Sequence, residues 1–342
     1  MVLESLIGEK RLRKHPELIC ALAFIISIGS IFFAENISAE HASVLSIAFI
    51  TIGLVPLVYN ILAKETDEEV LARRSCTTFF ARHFDIILIY VWIFIGIILA
   101  FSVAYVLTPP EVRSVLFEEQ ITSFCFISGQ CKGSVPYSIG GQFPLAIAGG
   151  ITGDASAITG NASGTAYSEC RDPTTSDVTT CSLFILANNG KVLLLTIALS
   201  LLYGAGAIFV IAWNAAILGI FFGEMFLMGQ HLTNFGFLQS MLIGHGPPEL
   251  FSYIFGALAG AVLSAVIARG QFFTHEFSIA VKDVVFLAFL SLFSVLYGAI
   301  TEAVGILNMP ELYFALGFLY LLIIIVMVFL YGKRRTPGKF CY

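Results

Sequence analysis

Charge is what this sequence has least of. Only 12% of its 342 residues are Asp, Glu, Lys or Arg, while 58% are hydrophobic. Soluble domains carry about 25% charged and roughly 45–50% apolar side chains. So apolar a chain cannot present a water-facing surface, which excludes a soluble enzyme and a disordered scaffold. A basic excess is missing too. The net charge of −5 and a pI near 5.7 exclude a nucleic-acid-binding surface. Internal repeats are not evident, and no nucleophile–base pair or complete metal motif stands out along the chain. The composition is that of a polytopic membrane protein.

A bilayer core about 30 Å thick needs about 20 apolar residues per helix. Runs at 17–34, 43–63, 84–107, 250–268, 284–305 and 312–332 meet that length. The stretch 191–229 is long enough for two crossings, at ~1.5 Å per residue. It is expected to break at Gly204-Ala205-Gly206, giving two short spans or a re-entrant pair. The expected fold class is all-α, with about eight membrane segments: six full spans plus the broken pair. The organisation reads as an N-terminal hairpin (1–80), a first core helix (84–107), an outside insertion (109–182), a membrane core (183–335) and a tail (336–342). The first run follows Lys10, Arg11, Arg13 and Lys14, as a signal peptide would, but no A-x-A cleavage site follows it. It reads as a retained anchor.

Lys and Arg set the orientation. With eight crossings and the N-terminus inside, all 18 basic residues except Arg113, Lys132, Arg171 and Lys191 fall inside. Both termini are then cytoplasmic, in the cell membrane. The sequons at Asn36 and Asn161 fall in outside loops, which is weak support. Four of the seven cysteines, Cys125, Cys131, Cys170 and Cys181, cluster in the long outside loop. An even set on the oxidising face reads as two disulfides. Cys125–Cys131 with Cys170–Cys181 is the simplest of three pairings. The loop has no His and no C-x-x-C, which argues against zinc there. Its Gly-, Ala-, Ser- and Thr-rich middle needs disulfides and the membrane surface to order it.

Several polar residues lie in or beside apolar runs. Asn188 and Asn189 stand at the expected outside start of the seventh stretch, where an amide caps a helix; the functional alternative has one of them coordinating an ion. Asn214 sits mid-segment and must find a hydrogen-bond partner. Glu224 and Glu302 must pair, face water or take a proton. Asp283, beside Lys282, reads as a solvated end charge. Gly219/Gly223 and Gly256/Gly260 are small-residue ridges for internal packing or a dimer face. The densest site is Gly244-His245-Gly246-Pro247-Pro248-Glu249-Leu250. Prolines and Glu249 suit a first helical turn, whereas a His between two glycines exceeds what a helix start needs. His245 and Glu249 read either as a turn lock or as a site for a divalent metal or protons.

These residues carry a resemblance. Leu186-Ala187-Asn188-Asn189, Gly204, Asn214, Gly219, Gly223, His245-Gly246-Pro247-Pro248-Glu249-Leu250, Gly256 and Gly260 resemble, in this order, the stage II sporulation protein M family. The resemblance covers about 183–335, with 84–107 as the family's first helix; the hairpin and the 109–182 insertion are departures. It implies a multispanning protein similar to a scaffold that recruits peptidoglycan-degrading partners. Relatives also occur where there is neither sporulation nor peptidoglycan, so the shared polar motif implies a more general role.

Two functions follow from this reading. The first is a non-enzymatic membrane scaffold or assembly factor, with the bilayer, proteins at the outside loop and a second copy of the chain as candidate partners. The alternative is a transporter or channel for a small cation, monovalent or divalent, through Asn188, Asn189, Asn214, Glu224, His245, Glu249 and Glu302. An intramembrane enzyme ranks last.

Overall fold

A computed structural model describes residues 15, 17–72, 79–128, 177–203, 206–227, 243–268, 270, 275–307 and 309–332. The described residues are helical, without strands. In chain order the helices are α1 (Glu17–Ile37), α2 (Ala42–Ala72), α3 (Phe79–Leu107), α4 (Pro110–Leu116), α5 (Glu118–Ser128), α6 (Val178–Tyr203), α7 (Ala207–Leu227), α8 (Gly246–Ala268), α9 (His275–Ile306) and α10 (Pro310–Gly332). Eight of them, all but the short α4 and α5, are long and apolar enough to cross a membrane. Helices suit that solvent because each satisfies its own backbone groups within the segment. Large apolar side chains such as Ile25, Phe33, Leu194, Phe289 and Ile325 point outward, where lipid rather than water is the neighbour. The protein is a multispanning, all-helical membrane protein.

The expected break near Gly204–Gly206 lies between α6 and α7. Other boundaries differ from the sequence reading. The helix expected from 191 begins at Val178, so Asn188 and Asn189 are about three turns inside α6 and cap nothing. The actual start is marked by Asp177, whose Oδ1 accepts the Thr180 N–H at 2.6 Å. The segment expected to form the insertion is correspondingly shorter at its far end, and at its near end it carries α4 and α5. Pro109 and Pro110 open α4, where a missing N–H costs nothing. The two-disulfide loop lies largely outside the described residues. That holds for Cys131, Cys170 and the side chain of Cys125, while Cys181 is buried in the first turn of α6.

The helices form two compact units. The first comprises 1–61, 85–147 and 208–231. In it α1 packs on α3, where a Cβ on Gly96 would strike the Cys20 carbonyl and Ala23. Phe117, at the joint of α4 and α5, is buried against the rings of Phe101 and Tyr105 on α3. Gln120 of α5 donates from Nε2 to the Ser43 carbonyl of α2 at 3.0 Å. Helices α4 and α5 are therefore docked on the ends of the spans of this unit. The second unit comprises 62–84, 148–207 and 232–342, and α6, α8, α9 and α10 pack against one another within it.

Candidate functional site

The site in the second unit is built from four helices: the middle of α6, the starts of α8 and α10, and the last turns of α9. One face of α6 carries Cys181, Ile185, Asn189 and Leu193 at four-residue spacing. Cys181 and Ile185 pack on Ala299 and Ala303 of α9, and Leu193 packs with Tyr253 of α8 and Val295 of α9. Asn189 is the polar member of this otherwise apolar stripe, and its Nδ2 donates to Glu249 Oε1 at 2.8 Å. Asn188 Nδ2 donates in turn to Asn189 Oδ1 at 3.3 Å. The two amides thus reach from α6 to the first turn of α8.

His245 precedes α8, and its carbonyl accepts the Glu249 N–H at 3.2 Å. The two residues are one helical turn apart, so both side chains emerge on the same side. Neither flanking glycine uses the left-handed backbone region, since Gly270 is the positive-φ glycine among the described residues. The freedom expected of Gly244 and Gly246 is not what the site uses. Gly317 of α10 matters more: a Cβ there would collide with the Ile243 carbonyl and lie 3.0 Å from Gly244 Cα. That glycine lets α10 lie directly against the His245 turn.

Helix α9 completes the arrangement through one face. A Cβ on Gly298 would meet Glu249 Cγ at 3.0 Å, and one on Gly305 would meet the Tyr313 ring at 2.8 Å. Glu302 lies between these two glycines, at helical spacings that share their face. It brings a second carboxyl to Glu249: one donor atom each from His245, Glu249 and Glu302 lie within 4.8 Å of one another. Behind the His, Tyr313 OH shares a 2.8 Å hydrogen bond with His245 Nδ1. Tyr313 itself is 5% exposed. Two carboxylates at such a distance repel strongly unless a proton or a cation lies between them. The set of one imidazole and two carboxylates fits a borderline divalent metal ion, and equally a proton shared between carboxyls.

Sequence reasoning raised a convergence of His245, Glu249, Glu302 and the Asn pair with Asn214 and Glu224; the first five meet in the second unit, and Tyr313 was missed. A Tyr in the first turn of a span passes for an interface residue. The other two polar residues belong to the first unit and have partners there. Asn214 Nδ2 donates to the Val210 carbonyl one turn back at 2.8 Å, so its partner lies within its own helix. Glu224 accepts from Tyr105 OH at 2.7 Å, joining α7 to α3. The Arg113 guanidinium stacks 4.6 Å above the Tyr105 ring and donates to the Thr108 carbonyl at 2.8 Å. Asp283, expected to be a solvated end charge, is instead buried and stands 3.9 Å from His83 Nε2 in the second unit.

The ridge glycines sit at close helix approaches. A Cβ on Gly219 would lie 2.6 Å from Phe101 Cβ, and one on Gly223 would lie 2.9 Å from Tyr105 Cδ1. Similarly, a Cβ on Gly256 would lie 2.6 Å from Leu193 Cδ1, and one on Gly260 would lie 2.7 Å from the Ile197 carbonyl.

No curated protein and no solved structure matches the chain. The family model of stage II sporulation protein M matches residues 86–305. That range opens in α3, ends with α9 and contains the Asn pair, the ridge glycines, the His245–Glu249 turn and Glu302. With most of its length matched in this way, the chain belongs to the stage II sporulation protein M family.

Proposed function

We propose that the protein is a non-enzymatic membrane scaffold or assembly factor of the cell membrane. One observation carries the reading: intramembrane polar side chains are engaged in holding their own units together. Asn189 ties α6 to Glu249 of α8, His245 ties the start of α8 to Tyr313 of α10, and Tyr105 ties α3 to Glu224 of α7. Such bonds between membrane helices are structural glue. Partners dock at the outside insertion, where α4 exposes Val112 and Val115 beyond the spans.

The excess of Lys and Arg in the loops supports cytoplasmic termini. Disulfides among Cys125, Cys131, Cys170 and Cys181 belong to this reading of the insertion. The even number of cysteines in that segment supports them. A homodimer through a small-residue ridge is the remaining partner in this scheme. Photo-cross-linkers placed at Val112 and Val115 in native membranes should trap a discrete protein band. Cross-linking to lipid alone at both positions contradicts the scaffold.

A second reading, transport of a small cation, is favoured by one feature, the convergence of His245, Glu249 and Glu302.

A further inference from the structure

We infer that His245, Glu249 and Glu302 bind one divalent transition-metal ion of the zinc class, tying α8 to α9. This inference does not depend on the scaffold reading, because a structural ion and a transported one would need the same ligands. The donors come from two elements: the first turn of α8 with its preceding residue, and the last turns of α9. Zinc bonds to His nitrogen and carboxylate oxygen are about 2.0–2.2 Å, which sets ligand atoms about 3.3–3.6 Å apart in a tetrahedron. Donor atoms already within 4.8 Å of one another reach that spacing by side-chain rotation.

Charge and donor type agree with this choice. Two carboxylates balance a divalent ion, and the imidazole selects a borderline metal over calcium or magnesium. The positive end of the α8 dipole favours Glu249 as a carboxylate, while the last turns of α9 offer their negative end to a cation near Glu302. The surrounding hydrogen bonds are those a metal site requires. Metal-binding His residues have the other ring nitrogen held by a hydrogen bond, and binding carboxylates are themselves hydrogen-bonded. Tyr313 engages His245 Nδ1 and Asn189 engages Glu249 Oε1, so Nε2 and Oε2 are the atoms assigned to the ion in this proposal. Three protein ligands leave a fourth position for water or for a partner's side chain.

The test uses the full chain, stripped of metal, in lipid nanodiscs, and dialysed against ZnCl2 alone with bound metal counted by mass spectrometry. One zinc per chain is expected, with affinity reduced at least tenfold in His245→Gln, Glu249→Gln and Glu302→Gln. Tyr313→Phe, which touches no ion, should weaken binding by about 10–100-fold, as loss of an outer hydrogen bond does. Substoichiometric zinc, or one zinc retained unchanged in both His245→Gln and Glu302→Gln, overturns the site. Should a variant fail to fold, cobalt on the wild-type chain decides. The intense visible bands of four- or five-coordinate cobalt with nitrogen and oxygen donors support the site. A near-ultraviolet thiolate band or a weak octahedral spectrum overturns it.

Discussion

At the scale of single residues, what matters is who partners a buried polar atom. Glu249 depends on an amide from another helix, so Asn189→Leu should leave its Oε1 unanswered. The expected cost is about 1–3 kcal/mol, read as a lowered thermal unfolding midpoint in lipid; an unchanged midpoint would mean that water replaces the amide. Tyr105→Phe removes one hydrogen bond to Glu224 and should cost about 0.6–1.7 kcal/mol. A double-mutant cycle with Glu224→Gln checks that the loss is shared between the two residues.

Glu119, on α5 outside the spans, has a buried Oε2 with no hydrogen-bond partner. Burial first, and the neighbouring Glu118 charge second, hold its carboxyl above the ordinary value of 4.5. A raised carboxyl pKa means that folding favours the proton. Its contribution is therefore present at low pH and is lost as pH rises through the folded-state value. Wild type should lose stability relative to Glu119→Gln as pH is raised above 4.5, and a pH-independent difference between the two would contradict this.

His245, Glu249 and the Asn pair were legible in the sequence because polar residues stand out against apolar runs. Which of the seven polar residues meet was not, since that depends on how α6, α8, α9 and α10 pack. Tyr313 gave no signal of its own.

At the scale of elements, hydrophobic length fixed the spans better than local polar residues fixed their ends. Asn188-Asn189-Gly190-Lys191 looked like a helix start, yet α6 runs straight through it, because Asn189 has a partner inside the bundle. The long 191–229 run was divisible because two crossings need a turn, and the Gly204–Gly206 segment was available for it. Glycines give the sharpest tests here. Gly190 lies mid-helix with nothing within 4 Å of a Cβ. Gly190→Ala should therefore stabilise α6 by about 0.5–1 kcal/mol. Gly260→Ala places a methyl against the Ile197 carbonyl and the Leu201 amide, which are backbone and cannot rotate away. It should force α6 and α8 apart at a cost of about 1–3 kcal/mol. Thermal unfolding of the two variants side by side checks both signs, and equal shifts would refute the packing.

At the scale of the whole molecule, composition alone identified the solvent, and the order of motifs identified the family. The grouping of helices into two units was not legible, because α7 follows α6 in sequence yet belongs, from Ile208, to the unit containing α1 and α3. Adjacency along the chain is a weak guide when every span has the same apolar character.

In the proposed function the buried polar groups serve cohesion rather than passage. Cation flux through the purified full chain in sealed liposomes tests this most directly, with sodium, potassium and zinc gradients imposed in turn. The expected result is flux no greater than that of empty vesicles for all three ions. Flux that appears with the wild-type chain and vanishes in a folded Glu302→Gln variant would contradict the claim and make the His245–Glu249–Glu302 site a transport path.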